Sequence, residues 1–266
     1  MKKTIFIDLD GTLLGTHSAE ISARNKAAVI DVIARGHEVI LCTGRQISRI
    51  SGLMEELDVR YAIACSGAVV YDRQGDKILQ STQLDGTSID KIVALSNGLE
   101  VAHIYATPMK TYTTNSEVSE FLAGIELVAE GELPAGIVSY SLYSFNYDDM
   151  RKFYLEIKKA EVNVAGASKF IVEGVPYDGR RVYYIEIAPT GISKGSGVRF
   201  LLGLLGLNSD DAIALGDGYN DLEMFRAVKT RVAMANAVDE LKSLATHHTA
   251  SNIDDGVAQF LENLDT

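Results

Sequence analysis

Both ends of this 266-residue chain alternate between two hydrophobic periods, and that alternation leaves few architectures open. Near the start the chain reads TIFIDLD, a helical stretch from Ser22 to Ala34, HEVILCTG, a second helical stretch from Gln46 to Leu57, then YAIACSG. Runs with no polar face, IFI and EVILC among them, suit strands covered on both sides, as in parallel sheets. Right-handed crossovers would lay the intervening helices on the two faces of such a sheet. Ser22 is a predicted N-cap and Gly36 a predicted terminator for the first helix. The pattern returns late: a helix opened by Ser193, then DAIALGDG, a helix from Asp221, TRVAMAN, Val238 to Leu244 and Asp254 to Leu264. The prediction is one α/β doubly wound, mainly parallel sheet, built from both ends of the chain.

The middle differs. Strand-like runs VAHIYA, MKTYTTN, VSYSLYSF, SKFIVEGV and RVYYIEI alternate with helical candidates at Ile89 to Leu99, Glu117 to Ala123 and Tyr147 to Ala160. Nine of the twelve tyrosines fall here, which fits strands whose polar tips reach an open face. Residues 84–188 therefore read as an inserted α+β domain within a core of residues 1–83 and 189–266. Two crossings, near Gln83 and Ala188, would permit hinge motion over whatever the core binds.

Charge and composition exclude several classes of partner. With 25 basic and 36 acidic residues the formal charge is -11, which repels nucleic acid. No apolar stretch approaches the roughly 20 residues that span a bilayer. The opening MKKTIFIDLD ends its short apolar run in carboxylates, unlike a signal peptide. The expectation is a soluble, cytoplasmic protein, a monomer or small homo-oligomer. Cys42 and Cys65 sit in apolar runs and read as buried free thiols.

The chemistry-bearing residues lie where predicted strands end. Asp8 and Asp10 leave the first strand in FIDLDGTLL, and period-two geometry would point both side chains the same way. Gly11 permits a sharp exit. Open α/β sheets bind ligands in the crevice outside their strands' carboxyl ends. Thr43, Gly44 and Arg45 follow VILC, GDGYND follows AIAL, and Lys194 opens the helix before that last strand. Each feature alone has an ordinary explanation: a solvated Asp-Gly turn, a strand-to-helix turn, an exposed first-turn lysine, or capping carboxylates at Asp217 and Asp221. Four such coincidences in one chain are improbable.

The ordered set DxDGTL, TGR, lysine and GDxxND resembles the four-motif signature of the haloacid dehalogenase (HAD) superfamily. YIEIAPTGISKGSG and SNIDDGVAQFLE are similar to segments of its Cof-type phosphatases, the type IIB group with a large α/β cap, and the resemblance covers nearly the whole chain. It implies a Rossmann-like core and a Mg2+-dependent phosphatase acting on a small phosphorylated metabolite, a sugar phosphate by class. One departure is Ser66-Gly67, where these relatives commonly carry Asn-Gly.

On that resemblance Asp8 is the nucleophile that becomes phosphorylated, and Asp10 the general acid and then base. A carboxylate attacking a phosphate dianion needs a hard cation between them. Magnesium would take an oxygen of Asp8, the carbonyl of Asp10 and a carboxylate oxygen of Asp217, with Asp221 orienting the ligands. Thr43, the amides of Gly44, Leu9 and Asp10, and Lys194 would hold the phosphoryl oxygens, with Asn220 positioning Lys194 or a phosphate oxygen. Arg45 would touch substrate or bridge to the inserted domain. His247 and His248, adjacent on a strand, would face opposite ways and make a poor metal pair. Competing readings are phosphoryl transfer between positions on a sugar, a receiver-like phospho-accepting module, and a silent metabolite-binding protein.

Overall fold

The structure is a computed structural model that describes residues 2–15, 20–121, 125–129, 132–160, 162–166, 175–177 and 180–264. The chain divides into two compact units, Met1–Gln80 with Ser193–Thr266, and Ser81–Ile192.

The first unit begins with β1 (Thr4–Asp8), in which every residue is buried. Helix α1 (Ala23–Ala34) follows, with the Asn25 amide donating to the hydroxyl of the predicted N-cap Ser22 at 3.1 Å. Next come β2 (Glu38–Cys42), α2 (Ser51–Glu56) and β3 (Tyr61–Ala64). The helix expected over Gln46 to Leu57 is broken. A 3-10 turn at Ile47–Arg49 ends at Ile50, whose φ of -124° interrupts the spiral before α2. Ser51 and Gly52 are weak helix formers and do not carry it across. Beyond β3 the chain forms β4 (Val69–Asp72) and β5 (Lys77–Ser81), which the apolar pattern had not suggested. β4 pairs antiparallel with β3.

The second unit contains α3 (Gly86–Ser96), β6 (Ala102–Ala106), β7 (Thr111–Thr113), α4 (Ser116–Phe121), β8 (Ile125–Leu127), β9 (Ser139–Ser144), α5 (Tyr147–Lys159), β10 (Val164–Gly166), β11 (Val175–Tyr177) and β12 (Arg180–Ile187). Its sheet runs β10-β12-β9-β6-β7-β8, with β11 paired to β12. Ile92 of α3 and Met150, Phe153 and Ile157 of α5 bury against Tyr140, Leu142, Ile185 and Ile187 of the sheet. Several tyrosines here are packing residues: Tyr140 is fully buried, with its hydroxyl 2.7 Å from His103 Nδ1, and the Tyr105 ring meets it edge-on. Of SKFIVEGV, only Val175 lies within the described residues, as do residues 117–121 of the helix expected over Glu117 to Ala123.

The chain then resumes the first sheet through α6 (Lys194–Leu205), β13 (Ala212–Gly216), α7 (Leu222–Arg226), β14 (Thr230–Ala233), α8 (Asp239–Leu244), β15 (His247–His248) and α9 (Gly256–Glu262). Among the described residues the strand order is β15-β14-β13-β1-β2-β3-β4-β5. Every pairing from β15 to β3 is parallel, with Phe6 opposite both Ala214 and Ile40. This is the expected doubly wound α/β sheet, built from both ends. α1 packs on α9 and α6 on α7. Cys42 and Cys65 are buried and not in a disulfide, and His247 and His248 are exposed at the sheet edge.

Candidate active site

Adjacent parallel strands bring their carboxyl ends to one edge, and the order β13-β1-β2 does so for three of the motifs. Asp8 ends β1, opposite Cys42; Thr43 follows Cys42; Asp217 follows Gly216 at the end of β13. The fourth arrives on α6, whose start is fixed by a reciprocal capping box between Ser193 and Ser196. That cap sends Lys194 inward. The side chain is fully buried, with Nζ donating to Asp8 Oδ1 at 2.5 Å and to Asp221 Oδ1 at 2.7 Å. The other Asp221 oxygen accepts the amides of Asp217 and Gly218 at 3.0 and 2.9 Å. One oxygen each from Asp8, Asp217 and Asp221 lie within 4.8 Å of one another. Chain segments 186 residues apart thus share one centre.

Thr43 is fully buried; its amide donates to the Ile63 carbonyl at 2.8 Å and its hydroxyl accepts the Arg45 amide at 3.1 Å. Gly44 lies on the same turn. Leu9 is buried, and its carbonyl accepts the Thr12 and Leu14 amides as the chain curls away from β1. The turn Cys65–Gly67 braces this region. Cys65 and Ser66 donate their amides to the Arg45 and Thr43 carbonyls at 3.0 Å each, and Gly67, at φ +102°, lies so close to the Ser193 carbonyl that a Cβ there would collide with it. Only glycine lets the Thr43 loop and the Lys194 helix approach this closely.

β1 ends at Asp8, so strand periodicity does not extend to Asp10, and the two carboxylates have different surroundings. The Asp8 side chain is 6% exposed; that of Asp10 is 55% exposed and stands outside the carboxylate cluster. Arg45 grips Asp10 with both arms of its guanidinium, Nε donating to Oδ2 at 2.9 Å and Nη2 to Oδ1. Asn220 sits on the turn Tyr219–Asp221 with its side chain beside Gly218. Among the described residues Lys194 bonds Asp8 and Asp221, not Asn220.

Two further residues touch the centre without having been singled out from sequence. Thr12, inside the first motif, donates its hydroxyl to Asp217 Oδ1 at 3.1 Å. Asn236, on the turn after β14, donates Nδ2 to the Gly11 carbonyl at 2.8 Å and to Asp217 Oδ2 at 3.4 Å. A capping-type hydroxyl in DGTL was a visible signal for Thr12; nothing local in AMANAV points Asn236 at a residue 19 positions away.

Three carboxylates around one ammonium leave negative charge uncompensated. Burial, then the charge of Asp221, push the Asp8 carboxyl well above the usual range against the opposing pull of Lys194. The same two causes raise Asp217 to about 6. Burial would lower the Lys194 ammonium, but Asp221 and Asp8 outweigh it and raise it, so the lysine stays charged. Such a cluster of hard oxygen donors suits a divalent cation, whose charge would relieve the repulsion.

Comparison with known proteins shows the family. The family model described as haloacid dehalogenase-like hydrolase matches residues 5–261. The chain belongs to this family. It is 31% identical to the 5-amino-6-(5-phospho-D-ribitylamino)uracil phosphatase YwtE of Bacillus subtilis (strain 168), over 98% of each chain. Its fold matches a haloacid dehalogenase-like hydrolase from Bacteroides thetaiotaomicron with a TM-score of 0.82 at 23% identity, covering 99% of this chain and 100% of that one. A HAD subclass IIB sugar phosphatase matches with a TM-score of 0.78 at 19% identity, covering 99% of each chain. The chain is a HAD-type phosphatase of the Cof group, as the four motifs implied, and so neither a receiver module nor a silent binding protein.

Proposed function

We propose that this HAD phosphatase hydrolyses a phosphate monoester of a small metabolite, a sugar phosphate by class, using Mg2+ and a phospho-aspartate formed on Asp8. The observation that carries the proposal is the buried Asp8 carboxylate, bonded to Lys194 and within reach of Asp217 and Asp221. Asp8, Asp217 and the Asp10 carbonyl would hold the cation, and its charge would let a carboxylate approach a phosphate dianion. Asp8 attacks phosphorus, the ester oxygen leaves, and water then displaces the phosphoryl group from Asp8. Lys194, Thr43 and the amides of Leu9, Asp10 and Gly44 serve the equatorial oxygens, and Asp221 keeps Lys194 aimed at them. Asn220 helps to complete that cradle. Asp10 protonates the leaving oxygen and later accepts the water proton; its carboxyl must leave the Arg45 fork to do so, so Arg45 sets its resting direction.

Residues 84–188 act as the cap that selects the substrate, a role suited to a separately folded insertion joined by two crossings. A sugar-phosphate class is supported by the relative whose named substrate carries a phosphoribityl group and by the fold shared with a sugar phosphatase. Two buried cysteines outside any disulfide fit a reducing compartment, the cytoplasm.

A phosphate-release screen over sugar phosphates, nucleotides and small acid phosphates, with and without Mg2+, tests the proposal. Release should require the metal and be fastest on sugar phosphates. Interconversion of sugar phosphate isomers without free phosphate would favour phosphoryl transfer instead, and metal-independent release would remove Mg2+ from the account.

The raised Asp217 carboxyl predicts a pH effect. A proton held there up to about pH 6 competes with a cation for the same oxygens, so Mg2+ should bind more weakly below that value than above it. Calorimetric titrations at pH 5.5 and 7.5 should show tighter binding at the higher pH, with proton release at the lower. Equal affinities would exclude Asp217 as the group displaced.

A further inference from the structure

Asp217 is held on both sides by neutral donors from other parts of the chain. Thr12 donates to Oδ1 at 3.1 Å and Asn236 to Oδ2 at 3.4 Å. We propose that Asn236 is a positioning residue, fixing the Asp217 carboxylate in the direction from which it holds a divalent cation; this rests on the magnesium reading above.

The orientation of the Asn236 amide is determined by its partners. Its Oδ1 accepts the Asn252 backbone amide at 3.0 Å, which leaves Nδ2 to face the Gly11 carbonyl at 2.8 Å and Asp217. One amide therefore ties together the loop after the nucleophile strand, the turn after β13 and the turn before α9. The Gly11 bond is short and anchors the side chain; the Asp217 bond is longer and aims the carboxylate. Gly11, at φ +87°, closes the other side, since a Cβ there would press against the Asp217 carboxylate. Asp217 is thus confined between Gly11, Thr12 and Asn236. A neutral amide suits this task. A lysine or arginine in its place would neutralise Asp217 and compete with the cation, whereas an amide leaves the charge available and takes up one lone pair of Oδ2, as the Thr12 hydroxyl does on Oδ1.

A second layer supports the same loop. Asn252 Nδ2 donates to the Leu14 carbonyl at 3.2 Å and Asn25 Nδ2 to the Leu13 carbonyl at 3.4 Å. Replacing the Asn252 side chain leaves its backbone amide on Asn236 intact, so that change separates loop support from aim.

The test is calorimetric titration of MgCl2 into the full-length wild type, Asn236→Ala, Asn236→Ser and Asn252→Ala, with each unfolding midpoint recorded. Asn236→Ser is polar but too short to reach Asp217, and it serves where the alanine variant does not fold. Loss of the Asn236 donor should weaken Mg2+ binding about tenfold, while Asn252→Ala stays within about twofold of wild type even where its midpoint falls. Wild-type affinity in both Asn236 variants, or an equal loss in Asn252→Ala, overturns the assignment and leaves the magnesium reading standing. No Mg2+ binding by the wild type overturns both.

Discussion

Asp8→Asn should abolish phosphate release, lowering kcat on the order of 10⁴-fold or more, while leaving the fold intact or firmer. The two effects have opposite signs for one reason. Burial and Asp221 make the ionised Asp8 carboxylate costly in the metal-free protein, and an amide of the same shape removes that charge. It also removes the nucleophile. Lys194 keeps its 2.7 Å bond to Asp221, so the ammonium is not stranded. Steady-state assays and urea unfolding at pH 7.5 without metal check both halves. Turnover within tenfold of wild type would exclude Asp8 as the attacking group, and a large drop in the unfolding midpoint would contradict the electrostatic account.

Lys194→Met should damage both properties together. The lysine is the buried counterion of Asp8 and Asp221, and methionine fills its space without charge. Removing one partner of such a cluster costs about 3–5 kcal/mol, and losing the cation that faces the phosphoryl oxygens costs on the order of 10³-fold in kcat. The stability loss should depend on pH in a stated direction. Lys194 is a lowering influence on both Asp8 and Asp217, so without it their carboxyls rise further. A carboxyl raised in the folded state favours folding while protonated and loses that advantage as pH climbs. The variant should therefore lie closest to wild type near pH 5 and furthest at pH 8, by urea unfolding without metal. A loss that grows toward acid would contradict this arrangement.

What sequence revealed about this protein, and what it concealed, follows from the range of the forces involved. Asp8, Thr43 and Asp217 were legible because each directly follows or ends an apolar run, and burial of both strand faces leaves a strong pattern. Lys194 was legible only with Ser193, whose capping signal fixes where the helix starts and so where the lysine points. The extension of the sheet through β4 and β5 was not, since β5 alternates weakly and is largely exposed. The surroundings of Asp10 were not legible because strand periodicity says nothing beyond the last paired residue. Its bond to Arg45 and the reach of Asn236 to Asp217 join segments 35 and 19 residues apart. Such contacts depend on how the loops close, and no local propensity encodes that.

The most direct measurement is an acid quench of a single turnover, using the substrate found by phosphate release, followed by peptide mapping. A phosphoryl group should appear on the peptide carrying Asp8 and decay as free phosphate forms. Label on a different residue, or full phosphate release with Asp8 unlabelled at every quench time, would contradict the covalent mechanism.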